Sequence, residues 1–465
     1  MTKSSSCPSS HQSLERSFLM RLIYVAFTFL VLLSGCASTG DWSSDTPTKA
    51  SPKASKAARV NLQSQSVSKV YAPSDNLWLR IRDGFQMEPM NSPLEIEQVR
   101  WLSARPDYVH RSMARSSRYL FYIVQEVNAR NMPTEIALLP FVESAFVTHA
   151  KSSAKAVGLW QFMPATGKDF RLTQNVFRDE RRDVLQSTDA ALDYLQRLYN
   201  QFGSWELALA AYNWGAAMWQ STKTQYCCRL PTDYESLTMP KETRQYVPKL
   251  MAYRQIVLDP SAYGIVLPEL ENHPYFVALD VGNDIDVALV IKLAEIPAEE
   301  FQNLNPSFNK PVILSNANQQ ILLPFAHAEI FQDNLKKYSK PLSSWTAVKV
   351  NKTESLDQAS KTLGVDPDTL RDINGIPRGM RIKAGSTVLI PKTSSRSGDV
   401  PTTLADNASL SLEKPPRPPP PNKCAKPVKG ANGSKAAQQG KCPLQKQVKT
   451  IEKGTSKGNS SQKNA

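Results

Sequence analysis

Phe141-Val142-Glu143-Ser144-Ala145-Phe146 sets a single carboxyl group among apolar side chains. Burial beside apolar groups disfavours the charged form of a carboxyl group and raises its pKa, as a general acid requires near neutral pH. Pro140 precedes Glu143 by three residues and interrupts the ladder of helix hydrogen bonds, so we expect this glutamate near a helix end. A lone glutamate in an apolar helix is more often a partly exposed surface residue, and other motifs therefore have to support a catalytic role.

Two further motifs follow Glu143 along the chain. They are Gly158-Leu159-Trp160-Gln161-Phe162-Met163-Pro164 and Ala211-Tyr212-Asn213-Trp214-Gly215. A carboxyl group, an amide side chain and a Tyr-Asn pair are groups that a site needs to protonate and hold a sugar. The side chains of Trp160 and Trp214 offer faces for stacking on a ligand, and buried packing is an equally good interpretation of both.

The three motifs, in this order, resemble the catalytic domain of lytic transglycosylases, which cut the glycan strands of bacterial peptidoglycan. The resemblance covers about residues 75–260. The order of the motifs is most similar to that in the membrane-bound lytic transglycosylase D group. It implies that Glu143 protonates the oxygen between N-acetylmuramic acid and N-acetylglucosamine. The same carboxylate then takes a proton from the muramyl C6 hydroxyl, which closes onto C1 and leaves a 1,6-anhydromuramyl end.

The resemblance also assigns the residues that bind substrate. Ser152, or its neighbour Ser153, contacts the acetamido group or polarises the acid. Gln161 and the backbone around Met163 line the glycan groove, and Gly158 lets the chain approach the sugar closely where a Cβ would obstruct it.

Two later motifs complete the expected site. Tyr212 and Asn213 match the family's Ala-Tyr-Asn motif, in which the tyrosine hydroxyl orients the glutamate; Tyr212 in the core is the alternative. Glu242-Thr243-Arg244-Gln245-Tyr246-Val247-Pro248 resembles the final motif, with Tyr246 lining the groove. Glu242 fits equally well as a helix cap. We expect Asp169, Asp179 and Asp183 to form surface ion pairs, because basic residues surround them.

Two other functions stay open on the sequence alone. A lysozyme-like hydrolase on the same scaffold would use water in place of the C6 hydroxyl. An inactive peptidoglycan-binding lipoprotein would keep the fold without the chemistry, although the presence of all motif residues disfavours it. The resemblance implies no cofactor, and the cysteine spacing without histidine partners argues against a metal.

Apolar residues at helical spacing predict a mainly α domain between residues 75 and 262. One helix contains Ala191, Tyr194, Leu195 and Leu198, and we expect Ser187 to cap its start and Gly203 to end it. A second helix is predicted from about 204 to 219 and a third from about 241 to 257.

A sequence repeat follows the helical region. Leu304-Asn305-Pro306 corresponds to Ile373-Asn374-Gly375, and Ile321-Leu322-Leu323-Pro324 corresponds to Val388-Leu389-Ile390-Pro391. The second copy resembles the LysM module, a small βααβ unit that binds polymers containing N-acetylglucosamine. The first copy departs further from that pattern, so its sugar binding is open, and a linker domain without ligand is the alternative for both.

The amino-terminal end of the chain has the features of a secretion signal. Leu22 to Leu33 is apolar, follows basic residues, and is shorter than the roughly 20 residues that a membrane span needs, so it predicts a secretory signal starting at Met1 or Met20. Small residues before Cys36 resemble a lipoprotein signal, which implies a lipid on Cys36, and Ala37 favours the outer membrane facing the periplasm. A signal anchor with an incidental cysteine is the alternative.

The net charge of +14 is concentrated at the carboxyl end, where residues 394–465 carry 13 Lys and Arg against 4 acidic residues. This Pro- and Lys-rich composition predicts a disordered tail, either simply solvated or attracted to anionic wall polymer or lipid. Aromatic residues do not interleave with the basic ones, so nucleic acid is not an expected partner. Cys227, Cys228, Cys424 and Cys442 allow three complete disulfide pairings, and the sequence does not choose among them.

The sequence therefore predicts an α+β multidomain chain whose partners are peptidoglycan glycan strands and, through the lipid anchor, a membrane, with protein partners unknown. Its expected parts are a signal peptide (1–35), a flexible tether (36–74), a mainly α, lysozyme-like catalytic domain (75–262), a degenerate LysM-like module (273–326), a second LysM-like module (344–392) and a disordered tail (393–465).

Overall fold

The computed structural model of the protein describes residues 76–215, 233–317 and 320–415. The signal segment, Cys36 and the tether lie outside the described residues, as do the tail beyond 415 and the cysteines at 227, 228, 424 and 442. Within the described ranges, none of the helices has the length and apolar character needed to cross a membrane.

The first part of the described chain is helical, and its sheet-like pairing is limited to isolated bridges such as Lys151 with Val157. Its helices are α1 (Leu77–Asp83), α2 (Pro93–Ser103), α3 (Pro106–Ser116), α4 (Leu120–Ala129), α5 (Leu139–Glu143), α6 (Pro164–Asp169), α7 (Val184–Phe202), α8 (Trp205–Trp214) and α9 (Lys241–Leu258), with short 3-10 turns at Thr134–Leu138 and Ser261–Tyr263. Their apolar faces bury one continuous core. The predicted mainly α region is confirmed.

Helix α7 begins earlier than the sequence suggested. Asp183, not Ser187, is its N-cap, and its carboxylate accepts hydrogen bonds from the backbone amides of Leu185 and Gln186, both at 3.0 Å. Ser187 is fully buried one turn inside the helix, so the prediction of Ser187 as the cap was wrong. Gly203 ends the helix as predicted, with φ at +72°.

The second part of the described chain contains two copies of one unit. The elements of the first copy are β1 (Phe276–Asp280), β2 (Ile285–Asp286), α10 (Val287–Ala294), α11 (Ala298–Leu304), β3 (Val312–Ile313) and β4 (Gln320–Pro324), and α12 (Phe325–Lys337) follows. Those of the second are β5 (Trp345–Lys349), β6 (Glu354–Ser355), α13 (Leu356–Leu363), α14 (Pro367–Asn374), β7 (Arg381–Ile382) and β8 (Thr387–Pro391). In each copy the first strand pairs antiparallel with the last, as β1 with β4 and β5 with β8. The predicted repeat and the α+β fold class are confirmed.

One asparagine joins the second helix to the closing strand in both copies. Asn305 Nδ2 donates to the carbonyl of Leu322 at 2.8 Å, and Asn305 Oδ1 accepts from the amide of Leu322 at 2.8 Å. Asn374 makes the same pair of bonds with Leu389, at 2.9 and 2.7 Å. These contacts explain why the Asn-containing turn recurs in the sequence, because a buried amide satisfies both polar groups of one strand residue.

Residues 393–415 are ordered, and the predicted disordered tail starting at 393 was wrong for this stretch. It contains α15 (Thr402–Asp406) and β9 (Leu412–Glu413), which pairs with β7. The side chains of Val400, Ala405 and Ala408 are buried. Composition misled the prediction here, because small apolar residues spaced along a polar segment are enough to pack against existing modules.

The helical part and the two repeated units are packed together. Arg118 Nη2 forms an ion pair with Glu300 Oε2 at 2.8 Å, and the hydroxyl of Tyr119 donates to the carbonyl of Asn303 at 2.9 Å. Phe177, from the loop between α6 and α7, is buried in a cluster that also contains Leu314 of the first unit and Leu389 of the second. The repeated units therefore pack directly against the helical part, in addition to being joined to it by the chain.

Candidate active site

Glu143 is the last residue of α5, a five-residue helix that continues directly from the 3-10 turn at Thr134–Leu138. Leu138, Leu139 and Phe141 are buried, and they fix this short helix in the core. The expected position near a helix end is confirmed, but its cause is different. Pro140 lies in the first turn of α5, where a proline is tolerated, rather than breaking a longer helix.

The turn after Glu143 has an unusual backbone. Ala145 and Phe146 both have positive φ, at 49° and 58°, a region that costs a non-glycine residue about 1–3 kcal/mol. The guanidinium of Arg115 donates from Nε to the carbonyl of Ala145 at 2.8 Å. The ring of Phe146 packs against Phe141, with centroids 4.5 Å apart. These contacts hold the strained turn that directly follows Glu143.

The hydroxyl of Tyr246, on α9, donates a hydrogen bond to Glu143 Oε1. Burial is the main cause that raises the pKa of Glu143 to about 7; the hydrogen bond from Tyr246 opposes this shift. The negative charge of Glu242 adds a further increase, and the positive charge of Lys249 lowers the pKa. The carboxyl group is therefore divided between its protonated and ionised forms near neutral pH.

Tyr212 does not donate to Glu143. Its hydroxyl donates instead to the carbonyl of Trp160 at 2.9 Å, so the orienting role assigned to Tyr212 by resemblance was wrong, and Tyr246 fills it. The charge of Glu143 nevertheless contributes to raising the pKa of Tyr212, after burial as the larger cause. Trp160 itself is buried and donates from its indole to Thr188 at 3.0 Å, which makes it a packing residue and not a stacking face.

Gln161 and Met163 lie in the loop between α5 and α6. Gln161 has φ at +49°, and its amide nitrogen donates to the carbonyl of Gly158 at 2.8 Å. This bond fixes the amide, and Oε1 receives no hydrogen bond from the described residues. Met163, at the start of α6, is 42% exposed. Both side chains are available to a ligand.

Gly158 is required by the protein's own backbone. Its φ is +85°, and a Cβ would stand 2.2 Å from the carbonyl oxygen of Arg181. The space beside Gly158 is thus filled by the loop that precedes α7. The expectation that Gly158 makes room for a sugar was wrong for this reason.

The remaining predicted residues have internal partners. Asn213 Oδ1 accepts from the hydroxyl of Thr243 at 2.8 Å, which joins α8 to α9 beside Tyr246. Ser152 Oγ accepts from the amide of Ala156 at 3.0 Å within the loop between α5 and α6. Glu242 is exposed in the first turn of α9.

The acidic residues downstream of the motifs divide into two kinds. Asp179 pairs with Arg181 at 2.8 Å, but the pair is mostly buried and not the surface pair that was predicted. Asp183 caps α7 and accepts from Ser307 of the first repeated unit, so a surface ion pair was the wrong prediction for it.

Sequence reasoning missed two residues near the acid. Arg115 precedes every motif in the chain and holds the turn after Glu143 through the Ala145 carbonyl, whereas Lys249 follows the last motif and acts on Glu143 through its charge. Neither lies in a pattern that could have identified it. The assembled site has one partly buried carboxyl group with a pKa of about 7, and a phenol holds it. Such a group can donate a proton and then accept one.

Two family models match parts of this chain. Residues 122–227 match the family model of the transglycosylase SLT domain, and residues 275–340 match that of the lytic transglycosylase MltD, LysM-like domain. The 70 kDa soluble lytic transglycosylase of Escherichia coli aligns over 36% of this chain and 31% of its own, with 24% identity and a TM-score of 0.26.

A curated relative covers most of the chain. The membrane-bound lytic murein transglycosylase D of Escherichia coli (strain K12) is 32% identical over 382 residues, which span 78% of this chain and 84% of that protein. The same protein of Escherichia coli O6:H1 aligns equally well. On the strength of this identity and coverage, and of the LysM-like match at residues 275–340, this chain belongs to the family of membrane-bound lytic murein transglycosylase D.

Proposed function

We propose that this protein is a peptidoglycan lytic transglycosylase that cleaves the β-1,4 bond between N-acetylmuramic acid and N-acetylglucosamine and forms 1,6-anhydromuramyl ends, in cell-wall turnover and remodelling. The observation that supports it most directly is the single carboxyl group of Glu143, with a pKa of about 7 beside the Tyr246 hydroxyl. An acid with that pKa is populated in both protonation states that the two steps need.

In the first step, the protonated Glu143 gives its proton to the bridging oxygen. The C1–O4 bond breaks, N-acetylglucosamine leaves with a free 4-hydroxyl, and positive charge develops at C1. The 2-acetamido group assists at C1 during this step. No second carboxylate is required.

In the second step, the Glu143 carboxylate takes the proton of the muramyl C6 hydroxyl. O6 then bonds to C1, and the glutamic acid is restored without consumption of water. The Tyr246 hydroxyl stabilises the ionised carboxylate between the two steps, because a hydrogen bond to the charged form favours it.

The glycan groove, in this proposal, passes over Gln161, Met163, Tyr212 and Asn213. Gln161 Oε1 and the exposed Met163 side chain supply contacts, and the Gln161 amide is already oriented by Gly158. Ser152 and Tyr246 border the same groove. The LysM-like units add binding of N-acetylglucosamine-containing strands.

For the location of the protein, we propose a lipid on Cys36 that anchors it to the outer membrane facing the periplasm. The membrane-bound relative supports an association with the cell envelope. The apolar stretch before Cys36 and Ala37 after it support the finer assignment. Metabolic labelling with a clickable fatty acid, compared between the wild type and Cys36→Ser, tests it; an equally labelled variant would contradict it.

Mass spectrometry of the muropeptides released from sacculi by residues 70–465 tests the reaction. We expect products that are one water lighter than those of a hydrolase, and Glu143→Gln to reduce their release by about 10²–10⁴-fold. Hydrated reducing ends would instead identify the lysozyme-like alternative. Full activity of Glu143→Gln would show that another group is the acid.

A further inference from the structure

A cleft of about 360 Å³ is lined by Val142 and Gln245, the chain neighbours of Glu143 and Tyr246, and by Lys249, whose charge lowers the pKa of Glu143. Glu97, Gln98, Trp101 and Tyr108 also line it. We propose that this cleft binds the peptide stem carried by the muramyl residue at the scissile bond. The inference rests on the proposed function and deepens it by naming a second substrate element that the enzyme recognises.

The position of the cleft fits a group attached close to the reacting sugar. Two of its lining residues, Val142 and Gln245, are the chain neighbours of Glu143 and Tyr246, which share a hydrogen bond. The stem leaves the muramyl residue through the lactyl group on C3, in the same ring as C1. An extended peptide advances roughly 3.3–3.6 Å per residue, so its first two or three residues span a cleft of this size.

The outer wall comes from helices that precede the transglycosylase domain match. Trp101 lies on α2 and Tyr108 on α3, whereas the match begins at residue 122. This wall is therefore an addition to the part of the fold that carries the acid. An added wall beside the reaction centre is where selectivity for a substrate feature outside the scissile bond can arise.

Trp101 gives this wall an aromatic face. Its side chain is 42% exposed, which is unusual for a tryptophan in the described part of the chain. The Arg105 guanidinium lies 4.3 Å from its ring centroid and the Tyr108 ring contacts it edge-on at 5.5 Å. The indole is thus held in place before any ligand arrives, and exposed tryptophans positioned in this way often dominate binding energy.

The charges in the cleft favour a peptide stem as its ligand over a further stretch of the glycan strand. Lys249 and Glu97 present one ammonium and one carboxylate, and neither forms an ion pair with any residue that the structure describes. Gln98 and Gln245 add amide groups that can pair with a peptide backbone. A muramyl–glucosamine strand is uncharged once the lactyl carboxyl is amide-linked, whereas its peptide carries carboxylates and an amine.

The test compares two forms of one substrate. Uncrosslinked glycan strands are prepared with their peptide stems and, in parallel, stripped of them by an amidase. For the wild type and each variant, the ratio of kcat/KM on stem-bearing strands to kcat/KM on stripped strands is measured. We expect Trp101→Ala to lower this ratio about tenfold, equivalent to about 1.4 kcal/mol.

Phe325→Ala is the matched control, because Phe325 is a 55% exposed aromatic residue on α12, away from the cleft lining. It should leave the ratio at the wild-type value. Glu97→Lys provides a second variant at an exposed position that does not disturb the core, and it should lower the ratio by repelling the amine of the stem.

If both Trp101→Ala and Glu97→Lys keep the wild-type ratio, the proposal is overturned. If kcat/KM falls equally on stem-bearing and stripped strands, the cleft binds the glycan and not the stem. Failure of the proposed function itself has a different signature, since the wild type would then release no anhydro products from either form of strand.

Discussion

Tyr246 and Glu143 are 103 residues apart in the sequence and share a hydrogen bond in the structure. The phenol lies on α9 and the carboxyl group at the end of α5. This bond lowers the pKa of Glu143 against the larger effect of burial, which raises it. The pair therefore sets the pH at which the acid is ionised.

Replacing Tyr246 with phenylalanine should move the pH profile. Without the hydroxyl, the ionised form of Glu143 loses its donor, and its pKa rises above about 7. Since the first step needs the protonated acid, kcat/KM of the wild type falls as the pH rises through that pKa. In Tyr246→Phe, we expect the alkaline limb to move up by roughly one pH unit or more. An unmoved limb would mean that the hydroxyl does not bind the carboxylate in solution.

Glu143→Gln should stabilise the fold while removing activity. The pKa of Glu143 rises from 4.5 in the unfolded chain to about 7 in the folded protein, so ionisation favours unfolding. That contribution to stability is complete below pH 4.5 and is lost as the pH rises through about 7. The glutamine does not titrate. We expect its advantage in unfolding free energy to be about 2–3 kcal/mol at pH 8 and much smaller at pH 5, as measured by urea denaturation. An equal difference at the two pH values would contradict the raised pKa.

Gly158→Ala should lower the unfolding free energy by more than the strain of a positive φ alone would. The new Cβ would meet the Arg181 carbonyl, in addition to the strain of φ at +85°. Gly203→Ala is the matched control, because it has φ at +72° and nothing within 4 Å. We expect about 1 kcal/mol for Gly203→Ala and at least about 2 kcal/mol for Gly158→Ala in thermal unfolding. Equal losses would show that the loop moves freely away from Arg181.

Asn374→Ala should destabilise the second repeated unit. It removes the bonds to both polar backbone groups of Leu389 in the core, at a cost of about 2–4 kcal/mol. Hydrogen exchange of the Leu389 amide reports the effect directly. The exposed Asn407 gives the control, and Asn407→Ala should change the unfolding free energy by less than about 0.5 kcal/mol. Exchange at the wild-type rate in Asn374→Ala would show that the strand keeps its pairing without the amide.

Much of the fold could be predicted because its signals are local. Apolar spacing located α7 and α9, and the recurrence of Leu304-Asn305 as Ile373-Asn374 predicted a repeated unit. Ser187 was mistaken for a cap because serine favours that position, although the nearby Asp183 serves it. The ordered stretch around Val400 was missed, since its burial depends on surfaces that the modules and Phe177 supply.

The site was less predictable than the fold. The motifs identified Glu143, Gln161 and Tyr246 as candidate site residues. They did not determine which tyrosine donates a hydrogen bond to the acid. Tyr212 and Tyr246 both carry hydroxyl groups near it, and only the packing of α8 and α9 decides between them. The sequence also could not show why a glycine is required at 158, because the carbonyl of Arg181 that a Cβ would meet belongs to a different loop.

A ribosome makes Glu143 well before it makes Tyr246 and the rest of α9. Until Leu258 has been added, the glutamate has neither its phenol nor the helix that shields it from water, and a solvated carboxyl group is ionised at neutral pH. The raised pKa of Glu143 is thus a property of the whole folded helical part, and a chain that ends before α9 lacks it.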